Sequence, residues 1–311
     1  MRTVLIMLST YNGEKYLKEQ LDSLYSQKNV DIHILVRDDG SEDRTVQILD
    51  KFLGDYGRMT ILKAPNIGAS RSFYKLIEFA YENMPRYDFY SFCDQDDVWF
   101  ENKLDYSCSQ INPDSDIPEL FYSSAVPVDA NLKPLKHSCL KGANCLGANI
   151  VSSRALGCTQ TFNYALLQKI EVINRYADSN QDRNTYVPLH DGWASLVAFA
   201  LGNVWIGKEP LMYYRQHGKN VVGTGKRGLK SIVDRIQRNR TGCCRKSKKC
   251  QILLGLLSEY IPQKNIRLIE ACAHYKKNIW STIRLLFTRD LYHFGLIDNL
   301  GTFCLILSRN F

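Results

Sequence analysis

Hydrophobic and polar positions follow two alternating patterns along the first hundred residues. Short runs of consecutive apolar residues, which are typical of buried strands, are followed by segments with apolar residues at helical spacing. The apolar runs predict four strands, at 3–10, 32–36, 59–63 and 87–93. The helical spacing predicts three helices between them, at 14–27, 45–53 and 72–83. A repeated strand–helix order with short loops predicts an α/β fold, in which a mostly parallel sheet carries helices on both faces.

This alternation weakens after about residue 100. The later pattern predicts helices at 164–173 and 191–201 and strands at 121–128, 204–206 and 211–214. Residues 137–161 are rich in Gly, Ala, Cys and Ser, which favours an irregular loop region. From about residue 226 the chain is predicted to be helical and basic. We therefore expect two parts, a ligand-binding domain at 1–225 and a helical extension at 226–311.

Four polar loops follow the four predicted strands, at 9–13, 37–41, 65–71 and 94–97. Ligands of parallel sheets bind at the carboxyl ends of the strands, so these loops should open on one edge. The last loop holds three carboxylates, Asp94, Asp96 and Asp97. Mg²⁺ and Mn²⁺ prefer oxygen ligands, and one or two carboxylates suffice when a diphosphate completes the shell. The spacing predicts a metal–diphosphate clamp, with a solvated acidic turn as the alternative.

The chain also carries candidate nucleoside ligands. It has no GxGxxG after the first strand and no GxxxxGK[ST], which disfavours a dinucleotide enzyme and a P-loop ATPase. Asp39 could accept a hydrogen bond from N3–H of uracil or thymine, and Tyr11 could stack on the base. The alternative for residues 38–41 is an ordinary turn with a helix cap.

Composition is that of an ordinary globular protein, with 45% hydrophobic and 23% charged residues in 311. The ten cysteines are scattered without a CxxC pair, and no cleavable leader pattern opens the sequence. We therefore expect reduced thiols and a cytoplasmic protein. A zinc site at Cys243, Cys244 and Cys250 stays open, although the spacing fits no familiar ligand pattern. No apolar run reaches the 18 residues that a membrane-spanning helix needs.

Positive charge is concentrated in the last part of the chain. Residues 226–311 hold 17 basic and five acidic residues, a net charge of +12 within a total of +8. Such a segment favours an anionic partner, and the amphipathic residues 279–307 could lie on an anionic membrane surface. A solvated helical face is the alternative. Nucleic acid is disfavoured, because residues 226–250 contain no aromatic side chain for stacking on bases.

The order of four motifs resembles family 2 of the inverting glycosyltransferases, which have the GT-A fold. The motifs are Ser9-Thr10-Tyr11-Asn12, Arg37-Asp38-Asp39-Gly40-Ser41, Asn66-Ile67-Gly68 and Asp94-Gln95-Asp96-Asp97. The resemblance covers residues 3–222. Later segments, 157–163, 190–193 and 214–223, look like the rhamnosyltransferase-type branch, which takes dTDP-L-rhamnose in assembling bacterial surface polysaccharides. Related members of the family use UDP-sugars.

The resemblance implies roles for particular residues. Ser9, Tyr11 and Asp39 would hold the nucleoside, and Arg71 would approach the nucleotide unless it is an ordinary arginine at a helix start. Asp94 and Asp96 match the family's DxD motif, with Asp97 beside them, and Asp96 is the first choice as metal ligand. His217 would be a further ligand of metal or diphosphate, the alternative being a histidine of a surface loop. Asp191 matches the catalytic base, the alternative being a plain carboxylate at a helix N-terminus. The acceptor side would include these residues: Gly157, Cys158, Thr159, His190 and Trp193.

The resemblance thus implies a metal-dependent transfer, with Mg²⁺ or Mn²⁺, from a dTDP- or UDP-sugar to a saccharide acceptor. A lipid-linked acceptor would place the enzyme peripherally on the inner face of the membrane. A nucleotidyltransferase is the less favoured alternative, because residues 11–15 do not match its Gly-rich loop. Gly192 stands where bulkier residues are common in this branch, and we expect it to widen the acceptor side.

Overall fold

The computed structural model describes residues 1–135, 144–153, 155–179, 189–217 and 245–311. Its strands are β1 (Arg2–Thr10), β2 (Val30–Asp38), β3 (Met59–Lys63), β4 (Phe89–Cys93), β5 (Val98–Trp99), β6 (Glu119–Val128), β7 (Gln160–Phe162) and β8 (Asn203–Arg215). The first helices are α1 (Leu17–Tyr25), α2 (Thr45–Tyr56), α3 (Ala69–Asn83), α4 (Lys103–Ser109), α5 (Leu146–Val151), α6 (Tyr164–Ser179) and α7 (His190–Leu201). Four more follow: α8 (Arg245–Leu257), α9 (Gln263–His274), α10 (Ile279–Leu286) and α11 (Leu296–Leu307).

The eight described strands form one sheet in the order β3-β2-β1-β4-β7-β6-β8-β5. Strands β3, β2, β1 and β4 are mutually parallel. Strand β7 runs antiparallel to both of its neighbours, β4 and β6. Strand β8 is parallel to β6, and β5 is antiparallel to β8 at the edge. The predicted α/β fold with a mostly parallel sheet is confirmed.

Burial on both faces explains the apolar runs of the first strands. The side chains from Val4 to Leu8 in β1 are inaccessible to solvent, as expected of a parallel strand covered on both sides. Alternate residues enter two different apolar clusters: Leu5 and Met7 pack with α3, α6 and α7, whereas Val4, Ile6 and Leu8 pack with α1 and α2. The sheet therefore separates two hydrophobic cores and presents its carboxyl ends along one rim.

The later half of the chain departs from the sequence prediction. Residues 137–161 were expected to be irregular, but their described part includes α5 and the start of β7. Strand β7 is only three residues long, too short to show a strand pattern in the sequence. It is stabilised by pairing with β4 on one side and β6 on the other. The two predicted strands at 204–206 and 211–214 are one continuous strand, β8, whose pairing with β6 is interrupted by register shifts near Pro210. Such irregularities mask the two-residue period of a strand.

The described C-terminal residues are helical, as predicted. Helix α8 contacts α5 and α6, and α9 contacts α7. Leu253, Ile269, Leu285 and Ile306 belong to the same apolar cluster as Leu5 of the central strand. The C-terminal helices thus share a core with the sheet. Residues 218–244, where most of the predicted basic segment falls, lie outside the described part of the chain. Among the described helices, none has the length and apolarity to cross a bilayer.

Candidate active site

A cavity of about 1000 Å³ opens at the carboxyl ends of β1, β2 and β4. Its wall contains residues from every candidate motif: Ser9, Tyr11, Asp39, Asn66, Gly68, Asp94, Asp96, Gly157, His190, Asp191 and His217. Residues separated by up to two hundred positions are therefore brought to one rim of the sheet. A smaller cavity of about 520 Å³ lies at the opposite, amino ends of β1 and β4, around Arg2 and Asp88.

Asp39 organises the side of the cavity that the sequence predicts to bind the nucleoside. Its buried carboxylate pairs with Arg37 and accepts hydrogen bonds from the N–H groups of Ile67 and Gly68, both at 2.8 Å. Gly68 has a φ of 85°, a conformation that favours glycine. The Asn66-Ile67-Gly68 loop is therefore held against the end of β2 by this carboxylate, which also faces the cavity.

Other residues of this side have distinct surroundings. Ser9 lies on the wall with its hydroxyl 2.6 Å from that of Ser72, and Tyr11 is 47% exposed at the mouth. Asp38 accepts hydrogen bonds from Thr10 and Ser41, as expected of an ordinary turn. Arg71 is exposed in the first turn of α3 and does not line the cavity within the described part of the chain.

Gln95, which the sequence analysis treated as a spacer, positions Tyr11. Its amide oxygen accepts from the N–H of Tyr11 at 2.9 Å, and its amide nitrogen donates to the carbonyl of Tyr11 at 3.0 Å. A methyl group on Gly13 would lie 2.3 Å from that amide oxygen, so a larger residue at this position would displace the Gln95 side chain. The only signal in the sequence was the position of Gln95 between two aspartates.

The carboxylates after β4 form the acidic side of the cavity. Asp94 and Asp96 both line it, and Oδ2 of Asp96 lies 2.6 Å from Nε2 of His217. Burial, followed by the charges of Asp96 and Asp191, raises the pKa of Asp94 to about 7. The predicted grouping of Asp94, Asp96 and His217 is therefore present.

Asp97 differs from its two neighbours. Its side chain is fully buried, and one carboxylate oxygen accepts a hydrogen bond from the N–H of Arg215 at 3.0 Å. Burial and the neighbouring aspartates raise its pKa well above the usual range. Ligand atoms of Asp94, Asp97 and Cys158 lie within 4.8 Å of one another. Asp97 and Cys158 nevertheless stay behind the described cavity wall, so Asp97 mainly fixes the end of β8.

Arg215 connects this acidic loop to the start of α1 and to the residues after β6. Its buried guanidinium donates to the carbonyls of Asp96 and Ala130, at 2.8 and 2.6 Å, and pairs with Glu19. It also lies over the ring of Tyr16, 4.4 Å from the centroid. The sequence analysis gave this arginine no role, although it stands two residues before His217 in a quoted motif. A planar guanidinium suits such simultaneous contacts.

Asp191 lies in the first turn of α7 and lines the cavity. Its Oδ1 accepts a hydrogen bond from the N–H of Gly192 at 2.6 Å, and Gln160 donates to its backbone carbonyl at 3.1 Å. Burial raises the pKa of this carboxyl, whereas the Gly192 N–H and the charge of Lys249 oppose the rise. The Gly192 N–H and the Lys249 charge therefore favour the ionised carboxylate, against the effect of burial.

The predicted acceptor side is divided between wall and core. Gly157 and His190 line the cavity; the His190 ring stacks on Phe73 at 3.7 Å, and burial lowers its pKa to about 3, so it is neutral. Trp193 and Thr159, by contrast, are about 1% exposed and do not line the described cavity. A direct role at the acceptor side thus stays a prediction for Gly157 and His190. Trp193 and Thr159 belong to the core behind the wall.

Two cysteines of the alternative zinc site, Cys243 and Cys244, lie outside the described residues. Cys250 is buried and hydrogen-bonds with Cys272 in the C-terminal core. The hypothesis of a zinc site at these three cysteines therefore stays untested.

Comparison with known proteins agrees with this geometry. Residues 5–107 match the family described as glycosyl transferase family 2. The chain is 30% identical over 226 residues to the dTDP-rhamnosyl transferase RfbG of Shigella flexneri, over 70% of this chain and 73% of that protein. The chain belongs to glycosyltransferase family 2. A Rickettsia prowazekii protein described as an uncharacterized glycosyltransferase is 24% identical, over 74% of this chain and 69% of its own length.

Two solved structures of S. aureus TarS have a similar fold. TarS 1-349 of S. aureus in complex with UDP-GlcNAc superposes with a TM-score of 0.56 at 18% identity, over 98% of this chain and 81% of that one. Its complex with UDP gives a TM-score of 0.53 at 16% identity, over 99% and 90%. The family 2 glycosyltransferase described here therefore has a GT-A fold.

Proposed function

We propose that this family 2 enzyme is a metal-dependent, inverting transferase that moves L-rhamnose from dTDP-L-rhamnose to a saccharide acceptor. The observation that carries the proposal is one cavity with three groups on its wall. All five of these residues line the cavity: Tyr11 and Asp39, which would bind the nucleoside, Asp94 and Asp96, which would bind its diphosphate through the cation, and Asp191, which would meet the acceptor. Donor and acceptor can therefore meet between them.

Asp96 and Asp94 would hold a divalent cation, Mg²⁺ or Mn²⁺, with His217 as a further ligand. The residues present fit such an ion, because hard cations take oxygen ligands and both carboxylates reach the cavity. Burial, followed by the charges of Asp96 and Asp191, raises the pKa of Asp94, and a cation would relieve the repulsion among these carboxylates. When bound, the cation supplies Lewis-acid stabilisation of the departing nucleoside diphosphate.

Asp191 is proposed as the general base. The acceptor hydroxyl oxygen forms a bond to the anomeric carbon while the bond from that carbon to the diphosphate oxygen breaks, and the electron pair leaves with the nucleoside diphosphate. The hydroxyl proton passes to the Asp191 carboxylate. A single displacement inverts the anomeric configuration and needs no covalent intermediate. The N–H of Gly192 and the N-terminus of α7 hold the carboxylate in place before the proton arrives.

Two nucleotide-sugars are candidates for the donor. The 30% identity to a dTDP-rhamnosyl transferase supports dTDP-L-rhamnose. Asp39 could recognise N3–H in thymine and in uracil alike, so a UDP-sugar is the second candidate. The S. aureus structures carry UDP-GlcNAc and UDP, but their likeness to this chain extends to the fold alone. A direct comparison of donors has to decide between the two nucleotides.

We also propose that the acceptor is a lipid-linked saccharide, used in bacterial surface polysaccharide synthesis at the inner face of the membrane. The support is an exposed apolar face on the last two helices. In α11 the exposed residues recur at spacings of four, three and four, which places them on one side of the helix. They are Leu296, Leu300, Phe303 and Leu307. In α10 and just after it, three more large apolar residues are exposed: Ile279, Trp280 and Phe287.

Exposed cations accompany this apolar face. They are Lys276, Lys277, Arg284, Arg289 and Arg309. Apolar side chains beside basic ones are typical of helices that lie in the interface of an anionic bilayer. In this proposal residues 1–225 form the catalytic domain, and residues 226–311 attach it to the membrane that carries its acceptor.

Donor hydrolysis tests the enzyme class, the donor and the metal together. The purified protein is incubated with dTDP-L-rhamnose, UDP-glucose and UDP-GlcNAc, each with Mn²⁺, Mg²⁺ or EDTA, and the released nucleoside diphosphate is measured. We expect metal-dependent release from dTDP-L-rhamnose that Asp96→Ala and Asp191→Asn abolish. Asp55→Asn, at an exposed acid of α2, is the matched control. Release that is equal in EDTA, or unchanged in Asp96→Ala, would contradict the metal-dependent mechanism.

A further inference from the structure

The space beside Gly192 in α7 is filled from the C-terminal part of the chain. A methyl group placed on Gly192 would lie 3.6 Å from Nζ of Lys249, which extends from α8. Gly192 directly follows Asp191, and its N–H donates to the Asp191 carboxylate. The expectation that this glycine widens the acceptor side is therefore wrong at the side of α7 where Lys249 lies. The small residue admits an ammonium group instead.

Helix α8 holds Lys249 firmly in this position. Ser247 and Cys250, on either side of it, are buried. The hydroxyl of Ser247 donates to the carbonyl of Ala273 at 2.9 Å, and the amide of Gln251 donates to the same carbonyl at 2.8 Å. These contacts attach α8 to α9, so the lysine side chain is delivered by a rigid element rather than by a loop.

The charges of Lys249 and Asp191 interact. Burial lowers the pKa of Lys249 and raises that of Asp191, and each group's charge opposes the shift of the other. A partly buried ammonium beside a partly buried carboxylate lies in a medium that screens little, so the interaction is stronger than at a surface.

We infer that Lys249 is a positioning residue for the proposed base: its ammonium, passing over Gly192, keeps the Asp191 carboxylate ionised and oriented toward the cavity. The inference rests on the proposed role of Asp191. It makes the C-terminal region part of the active site, because the charge that supports the base comes from α8. Lys249 acts through Asp191 and is not assigned a contact with substrate.

The test compares Lys249→Met, which keeps the length of the side chain but removes its charge, with Lys249→Arg, which keeps a charge. Lys248→Met is the matched control, since it removes a neighbouring lysine from the same helix. Turnover of dTDP-L-rhamnose, or of UDP-GlcNAc where the donor panel selects it, is measured by donor hydrolysis without acceptor. Affinity for dTDP or UDP is measured by calorimetry, and thermal melts check folding.

We expect Lys249→Met to lower kcat by about 10- to 100-fold, the range of a charge-assisted contact. Nucleotide affinity should stay within about twofold, Lys249→Arg should recover part of the rate, and Lys248→Met should behave as wild type. Methylammonium should restore part of the rate of Lys249→Ala, an effect that a purely structural lysine would not show.

Two outcomes overturn the inference without touching the proposed function. One is a Lys249→Met enzyme with the kcat of Lys248→Met while Asp191→Asn is inactive. The other is a Lys249→Met enzyme with normal hydrolysis but a raised KM for a saccharide acceptor, which would make Lys249 an acceptor ligand. If Asp191→Asn itself keeps full turnover, the proposed base is wrong and the inference fails with it.

Discussion

Nε2 of His217 lies 2.6 Å from a carboxylate oxygen of Asp96, across a separation of 121 residues. The imidazole also stacks on Tyr16, with ring centroids 5.3 Å apart. These contacts place the residues just after β8 against the aspartates just after β4. A metal site at Asp96 would therefore depend on a histidine that the N-terminal half of the chain does not contain.

Replacing this histidine should weaken metal binding more than nucleotide binding. We expect His217→Ala to lower the affinity for Mn²⁺ by about 10- to 100-fold, whether the ring binds the ion or orients Asp96. Calorimetric titration with Mn²⁺ measures this, and His293→Ala, at an exposed histidine before α11, is the control. Equal Mn²⁺ affinities in the two variants would remove His217 from the metal site.

Asp94 should make the metal-free protein less stable at neutral pH. Its pKa is about 7 in the folded chain, above the ordinary value of 3.8. The folded state therefore binds this proton more tightly than the unfolded state does, and stability falls as pH rises from about 4 to 7. We expect metal-free Asp94→Asn to be more stable than wild type by roughly 1–2 kcal/mol at pH 7, but not at pH 4.

Thermal unfolding at both pH values, with and without Mn²⁺, measures this. The stabilisation by Mn²⁺ should also be smaller in Asp94→Asn than in Asp55→Asn. A variant that is less stable than wild type at pH 7 without metal would show that Asp94 makes stabilising contacts that outweigh its desolvation.

Gly13 and Gln95 should be coupled in nucleotide binding. A Cβ at Gly13 would collide with the Gln95 amide, which holds the backbone of Tyr11. We expect Gly13→Ala to lower affinity for dTDP by about tenfold, because Tyr11 loses its position at the cavity mouth. The double variant Gly13→Ala with Gln95→Ala should lose less than the sum of the single changes. Additive losses in calorimetry would mean that the two residues act independently.

The effect of substitutions at Gly192 on turnover should depend on the size of the new side chain. The 3.6 Å separation from Lys249 is an ordinary contact, so Gly192→Ala should keep turnover within about twofold and gain helix stability of roughly 0.5–1 kcal/mol. Gly192→Leu should displace the ammonium and lose rate to the same extent as Lys249→Met. Donor hydrolysis and thermal melts distinguish the two effects. Equal turnover in Gly192→Leu and Gly192→Ala would argue against a packed lysine at this position.

The exposed face of α11 should bind anionic vesicles. We expect the protein to co-sediment with phosphatidylglycerol vesicles more than with phosphatidylcholine vesicles, and less so at high salt. Leu300→Glu with Phe303→Glu should abolish this binding without lowering donor hydrolysis, whereas Ile117→Glu, at another exposed apolar residue, should not. Trp280 emission should shift to shorter wavelength on binding. Retained sedimentation of the double variant would exclude this face as the membrane contact.

The first half of the fold was predictable because each strand there is a continuous apolar run. Val4–Leu8 is buried on both faces of the sheet, so its continuous hydrophobicity indicates a central strand. Strand β7 was not predictable, since its three residues are polar or aromatic and are ordered by β4 and β6 on either side. Long-range pairing of this kind leaves no local signal.

The candidate site shows the same division. Asp39, Asp96 and Asp191 follow strands or begin a helix, and their motif order pointed to a shared rim where the structure places them. Gln95 and Lys249 make their contacts with residues far along the chain, so the only local signal was the position of Gln95 between two aspartates. The sequence predicted groups at the ends of elements but not the side chains that orient them.

The contacts of Arg215 set an order of assembly for the active site. One guanidinium at the end of β8 joins Glu19, Asp96 and Ala130, which belong to three separate segments. During synthesis, the residues proposed to bind the nucleoside all leave the ribosome within the first third of the chain. The acidic loop can gain these contacts only after residue 215 has been made, so the proposed metal site is completed later than the proposed nucleoside site.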